Sequence, residues 1–463
     1  MTEWAAADAG RSHTPRGPTA APSLDLALVR QVRQRVADRL SERRKEAEAE
    51  EHLMDLDDRR ALTAELIDDE LAALATAQIQ AGQAPLDTEV EAELAQAVLD
   101  AIHGLGPLQR LLEDTDITDI HANGCDRVWI KRADGTKEQG PPLAASDAEL
   151  VELIRMAGAR LGLGERRFDA ASPELDLRLP DNSRLSAVME VAARPALSIR
   201  RHRFLKLTLP DLVGLDAIDQ ALAGFLAAAV RARKNIVVAG GTGAGKTTML
   251  RALAAEIGPE ERLVTIENTL ELGLDEDAHL HPDVVALESR LPNTEGQGGI
   301  SMSQLVRRAL RMDPDRVIVG EVLGDEILDL LNAMSQGNDG SLSTIHARSS
   351  EGVSRRIASY AIRSAERLPV EATNLLVATA VDFVVFIDQR YEAAGAARHR
   401  RRFVSSVREV VGADRELVVS NEVFRPGPGG RAVPAAPMRC LPDLVAEGFD
   451  DRLLDRPEGW WSR

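Results

Sequence analysis

Cysteine is nearly missing from this chain: Cys125 and Cys440 are the only two in 463 residues, and neither belongs to a Cys-x-x-Cys pair or sits at metal-ligand spacing. A disulfide framework and a cysteine-built metal centre are therefore excluded as organising principles, and both thiols read as ordinary ones in a reducing compartment. Aromatic residues make up only 3% of the chain, which leaves little surface for stacking nucleic-acid bases. Basic residues are in deficit, 56 against 74 acidic ones, so the formal net charge of -18 repels phosphate backbones and disfavours non-specific nucleic-acid binding. Long apolar runs are also lacking. The longest, around Leu222 to Val230, is about half of the roughly twenty residues that span a bilayer, so a membrane role is expected only through a partner. Glu3 and Asp8 interrupt the alanine-rich start, which gives no expectation of a secretory signal.

What is present fits a globular enzyme. The chain is 44% hydrophobic and 28% charged, and its length exceeds what one hydrophobic core usually serves. Residues 1–22, rich in Ala, Pro, Ser, Gly and Arg, read as a flexible tail. From Leu24 to about Ala81, Leu, Val and Ile recur at three- and four-residue spacing among dense charges, which predicts amphipathic helices in a helical region over 23–95. Short β-like runs such as Val128 to Ile130 and Leu185 to Val188, separated by Asp-Gly and Pro-Asp breakers, predict an α+β domain over 96–206. Residues 207–215, with Pro210 and Gly214, read as a linker. Beyond it, strands at Asn235 to Ala239, Leu263 to Glu267, Arg316 to Val319 and Val381 to Ile387 alternate with helical stretches, which predicts a parallel sheet with crossover helices over 216–425. The segment 426–463 opens on Pro-Gly-Pro-Gly-Gly and is expected to be a loop-like tail.

Gly240-Gly241-Thr242-Gly243-Ala244-Gly245-Lys246-Thr247 satisfies GxxxxGK[ST] and stands between a β-rich run and a helical one. Such a loop turns backbone N–H groups towards phosphate oxygens at a helix N-terminus. Lys246 is expected at the β- and γ-phosphates of ATP, Thr247 on Mg²⁺ and Thr248 at the α-phosphate. Small-molecule kinases share this cradle, so it specifies nucleotide binding and leaves the work open.

Two strands end in carboxylates. Arg316-Val317-Ile318-Val319-Gly320-Glu321 places Glu321 where it would hold Mg²⁺ through water or orient the attacking water. Leu263 to Glu267 repeats the arrangement, and Glu267 is taken as the base, supported by Glu271. His346, closing Gly340-Ser341-Leu342-Ser343-Thr344-Ile345-His346, follows both strands and is read as a γ-phosphate sensor.

In this order the motifs resemble those of the secretion and pilus-assembly ATPases of the type II/type IV secretion superfamily, with the nearest likeness to CpaF-like ATPases of tight-adherence (Flp) pili. Ile266 to Leu272 is similar to the family's Asp box, Met312 to Val322 to its Walker B segment, and the run ending at His346 to its His box. Upstream, Gly104 to Leu108, Asn123-Gly124, Pro180 to Leu185 and Leu197 to Arg201 resemble the N-terminal domain, so the likeness covers about Leu24 to Arg425. The resemblance implies an α/β fold in which a RecA-like P-loop ATPase domain with a parallel-rich sheet follows a smaller α+β domain and a helical extension. It also implies a cytoplasmic homo-hexamer, peripheral to the inner face of the membrane through a platform-protein partner; the acidic balance and few aromatics add the expectation of no direct nucleic-acid contact. Arg184, Arg200 and Arg201 would then act on a neighbouring subunit's γ-phosphate.

Four positions depart from the family pattern: Asn268 for Asp, Leu323 for Arg, Asn338 for a second His and Arg348 for Asn. These departures motivate one rival function, an ATP-binding scaffold with little turnover; the cradle, similar to that of RecA-like helicases and conjugative ATPases, motivates another, a nucleic-acid-translocating motor of a conjugative system.

Overall fold

The structure is a computed structural model that describes residues 25–49, 55–161, 167–179, 181, 183–201, 207–290, 292, 296–394 and 397–461. The tail expected over 1–22 lies outside them. The chain divides into two compact units, Met1–Leu175 with Ser186–Ile199, and Asp176–Leu185 with Arg200–Arg463.

The first unit opens with helices α1 (Leu26–Ala49), α2 (Leu56–Gln80) and α3 (Thr88–His103). Their apolar positions converge: Val32 and Val36 of α1, Leu66, Ile67 and Leu71 of α2, and Leu94 and Val98 of α3 form one buried cluster. The Asp55 carboxylate caps α2 by accepting from the Asp58 amide at 2.8 Å, which satisfies one of the orphan donors of the first turn. Arg39 reaches Asp69 at 2.8 Å and Glu70 at 3.2 Å, a half-exposed pair that adds at most about 1 kcal/mol to the apolar packing.

Next come α4 (Pro107–Glu113), strands β1 (Ile117–Asn123), β2 (Val128–Arg132) and β3 (Lys137–Gln139), α5 (Asp147–Leu161), and strands β4 (Glu174–Arg178), β5 (Arg184–Val188) and β6 (Ala196–Arg200). The six strands form one sheet in the order β3-β2-β1-β6-β5-β4. β1 and β2 pair antiparallel with Ile120 opposite Ile130, both buried, while the exposed Trp129 alternates outward.

In the second unit, α6 (Leu209–Gly214) occupies most of the stretch read as a linker. A Thr208–Asp211 capping box starts it, and Leu209 and Leu212 are buried. The elements then run α7 (Gln220–Arg231), β7 (Ile236–Gly240), α8 (Lys246–Ala254), β8 (Leu263–Glu267), β9 (Val284–Glu288), α9 (Met302–Ala309), β10 (Arg316–Val322), α10 (Glu326–Ser335), β11 (Leu342–His346), α11 (Gly352–Arg363), α12 (Val370–Ala380), β12 (Phe383–Ala394), β13 (Ala397–Ala413), β14 (Val418–Pro426), β15 (Ala432–Pro434) and α13 (Leu441–Ala446).

Nine strands form one sheet in the order β15-β14-β13-β12-β7-β11-β10-β8-β9. From β12 to β9 every pairing is parallel, and β13, β14 and β15 extend the β12 edge antiparallel. Alternate residues of β7 enter two different cores. Ile236 and Val238 join Phe225, Leu250 and Leu253, whereas Val237 and Ala239 join Val317, Leu331 and Ile357. Both faces of the sheet are therefore covered, which is why these strands read as continuous apolar runs.

Two segments differ from expectation. The run closing on His346, not among the strands expected from the sequence, is β11: Ser343 and Thr344 are buried between β7 and β10, where the sheet satisfies their backbones. The segment after Arg425 is not loop-like. Its Pro-Gly run marks the turn between β14 and β15, with Gly429 and Gly430 at φ 69° and 82°, and Leu444 and Phe449 beyond it are buried in the Phe225 core. Trp460 and Trp461 tie the end down, the first donating its amide to Asp219 at 2.7 Å and the second its indole N–H to the Ala432 carbonyl at 2.6 Å.

Candidate active site

The phosphate loop fills the turn between the buried strand β7 and α8. Gly243 and Gly245 take φ of 66° and 99°, a left-handed conformation that a Cβ would strain. At the end of β7, a Cβ on Gly240 would fall 2.8 Å from the Ile387 carbonyl of β12, so close strand approach also demands glycine here. Gly241, Thr242, Gly243, Ala244, Gly245, Lys246, Thr247 and Thr248 thus lie in one continuous turn and first helical turn, the shape that a polyphosphate cradle requires.

Lys246 is buried, and burial lowers its pKa while the Glu321 carboxylate opposes that shift. Its Nζ lies 3.4 Å from Glu321 Oε1, 3.2 Å from His346 Nδ1 and 3.4 Å from the Gly241 carbonyl. Glu321 in turn approaches His346 Nε2 at 2.9 Å. Parallel pairing of β10, β11 and β7 causes this convergence, because it sets the C-terminal ends of all three strands on one edge. Three residues far apart in sequence therefore share one site.

Glu267, at the end of β8, is 4% exposed. Its Oε2 accepts from the Glu271 amide at 2.8 Å and the Leu272 amide at 2.9 Å. Burial pushes its pKa up to about 7, although those amides pull the other way. A carboxyl poised there suits proton transfer near neutrality. Its Cγ would stand 2.9 Å from a Cβ on Gly320, so the absent side chain of Gly320 makes room for it. Glu271 supports Glu267 through its backbone N–H, while its carboxylate faces Arg184 at 3.6 Å.

Arg184 also lies 4.0 Å from Asp176, and Arg201 lies 3.4 Å from Asp181. Arg200 adds positive charge at Arg402, by the phosphate loop. The structure does not gather these three arginines around Lys246 in the way it gathers Glu321 and His346.

Sequence reasoning missed three neighbours of the loop. From β13, Arg400 donates to the Thr242 carbonyl at 2.9 Å and Arg402 to the Gly243 carbonyl at 2.9 Å, while Gln389 of β12 accepts from Arg400 Nε at 2.9 Å. The signal was the run Arg400-Arg401-Arg402 in a β segment: alternation turns the outer two to one face and sends Arg401 to Asp216 on the other. Two of the four departures have local partners, and the other two side chains are exposed. Asn268 Oδ1 accepts from the Ser289 hydroxyl at 2.9 Å, Leu323 is 46% exposed, Asn338 Nδ2 reaches the Ala333 carbonyl at 3.4 Å, and Arg348 is exposed.

The loop fits a nucleotide tail. Among the described residues, no cluster of three or more His, Cys, Asp or Glu side chains could hold a metal ion. A divalent ion here would be held by a hydroxyl, one carboxylate and substrate phosphates, as Mg²⁺ commonly is.

A family model described as "Type II/IV secretion system protein" matches residues 101–409. The Mycobacterium tuberculosis protein named "Putative conjugal transfer protein Rv3659c" is 38% identical over 280 residues, covering 58% of this chain and 76% of that protein. The type IV secretion system protein PtlH of Bordetella pertussis is 32% identical over 324 residues, covering 64% and 92%. Among solved structures, the VirB11 ATPase of the Brucella suis type IV secretion system, in complex with sulphate, matches at 29% identity with a TM-score of 0.35, covering 68% of this chain and 96% of that one.

Proposed function

The chain belongs to the type II/IV secretion system protein family, and on that premise we propose that it hydrolyses ATP as one subunit of a hexameric ring driving pilus assembly or protein secretion. The observation that carries this reading is the meeting of Lys246 with Glu321 and His346 at 2.9 to 3.4 Å beside the phosphate loop.

Water attacks the γ-phosphorus, its proton passes to Glu267, and the bond from phosphorus to the β-phosphate's oxygen breaks to release ADP and phosphate. Lys246 neutralises charge on the transferring group, and His346 reports its presence. Thr247 and Glu321 would hold Mg²⁺, which when bound supplies positive charge to the β- and γ-phosphates. Thr248 hydrogen-bonds the α-phosphate. Arg184, Arg200 and Arg201 would serve a neighbouring subunit's nucleotide, so phosphate release alters which interdomain surfaces pack and turns chemistry into movement.

No helix among the described residues is long and apolar enough to cross a membrane. A cytoplasmic ring pushing on an inner-membrane platform protein accords with that, and tight-adherence pili are the setting we favour. Mixing Arg200→Ala with Lys246→Ala subunits tests the shared site: partial recovery of hydrolysis supports it, and none at any ratio in rings shown to be mixed refutes it.

The conjugal-transfer relative motivates a second reading, a nucleic-acid motor. Stimulation of ATP hydrolysis by single-stranded DNA at physiological salt would favour that reading; the acidic balance of the chain predicts none.

A further inference from the structure

The hairpin of β12 and β13 brings two guanidinium groups against the outer side of the phosphate loop. In the antiparallel register Gln389 stands opposite Arg402 and Tyr391 opposite Arg400, so Gln389 and Arg400 are diagonal neighbours on one face. Gln389 Oε1 accepts from both Nε and Nη2 of Arg400, which locks the plane of that guanidinium. The same Nη2 reaches the Thr242 carbonyl at 2.9 Å, and Arg402 Nε reaches the Gly243 carbonyl at 2.9 Å. The fit is close: a Cβ on Gly243 would lie 3.0 Å from Arg400 Nη2, and one on Gly241 would lie 3.6 Å from the Gln389 amide.

We propose that Arg400 and Arg402 are positioning residues of the ATP site, which hold the phosphate loop from outside so that its Gly243 amide faces the nucleotide. In a trans peptide unit the oxygen and the amide hydrogen point in opposite directions. Fixing the Thr242 oxygen on the guanidinium therefore turns the Gly243 N–H the other way, towards the polyphosphate. A cation on the oxygen also polarises the peptide and makes that N–H a stronger donor. The Ala244 amide donates to the Gly241 carbonyl at 3.2 Å, so Gly243 is the amide that this clamp aims. Burial lowers the Arg402 pKa, and the like charges of Arg400 and Arg200 press it in the same direction.

The inference rests on ATP use at this loop, and its test keeps the two claims apart. Titrating Mg·ADP into the full chain should give heat with wild type; none would overturn ATP use itself. With wild type binding, Arg400→Ala is expected to weaken Mg·ADP by about tenfold, as loss of a charge-assisted hydrogen bond implies, and Arg402→Ala by less. Melting temperatures without nucleotide should stay near wild type, while the nucleotide-induced rise shrinks. Arg400→Lys separates positioning from charge: lysine keeps the charge and loses the fork, so it should fall with alanine. Wild-type affinity in Arg400→Ala, or full affinity in Arg400→Lys, would overturn the proposal. Failure of both Arg400→Ala and Arg402→Ala to fold would also overturn it, by making the pair part of the scaffold.

Discussion

Glu321 Oε1 stands 2.9 Å from His346 Nε2 and 3.4 Å from Lys246 Nζ, so one carboxylate at the end of β10 links the phosphate loop to the end of β11. Glu321 is 37% exposed whereas Lys246 is 7% exposed, which leaves the carboxylate accessible to solvent and ligand. A γ-phosphate arriving at Lys246 would displace or share these contacts, which is the basis of the sensing proposed for His346.

Glu321→Gln keeps the shape and removes the charge. Hydrolysis should fall by about a hundredfold, within the range of a lost acid–base or metal-positioning group. Nucleotide binding should persist. Phosphate release and calorimetric titration of the same preparation check both.

Glu267 predicts a pH dependence. Its folded pKa of about 7 lies above the ordinary 4.5, so the folded chain holds this proton more tightly than the unfolded one. The resulting stability is fully present below 4.5 and is lost as pH rises through about 7, roughly 3 kcal/mol at most. Relative to Glu267→Gln, wild type should therefore lose stability between pH 5 and 8, and denaturation of the two at both pH values measures it. The hydrolysis rate should run the opposite way and rise with pH, because the proposed base must be ionised.

Gly320→Ala would place a Cβ 2.9 Å from Glu267 Cγ and 3.2 Å from its Oε2. The crowding should cost about 1–3 kcal/mol and displace the carboxyl proposed as the base. A drop in kcat larger than the change in nucleotide affinity is the expected kinetic signature.

The helical bundle of the first unit is held by its small apolar cluster. Leu94→Ala empties a fully buried position and should destabilise that unit by about 2–5 kcal/mol. Differential scanning calorimetry should show it, while Lys246 chemistry in the other unit is kept.

The parts of this molecule that were legible from sequence are those whose physics is local. A glycine-rich turn must lie next to its strand and helix, and Glu267 and Glu321 announced themselves because each ends an apolar strand run. Arg400 and Arg402 were not legible because their target lies over 150 residues upstream, and only the pairing of β12 with both β7 and β13 brings them to it. β11 was hidden for another reason. Ser343 and Thr344 look like surface residues, but both are buried inside the sheet, where the Thr344 hydroxyl donates to the Gly320 carbonyl at 2.7 Å. At the C-terminal end, Pro and Gly drew attention away from Leu444, Phe449 and Trp461, whose packing makes the segment part of the second unit's core.

The most direct test is steady-state phosphate release from ATP by the purified full chain and its Lys246→Ala variant, each shown to be folded. ATP hydrolysis at the β7–α8 loop predicts sustained release by wild type and background release by the variant. Equal release by the two would contradict it.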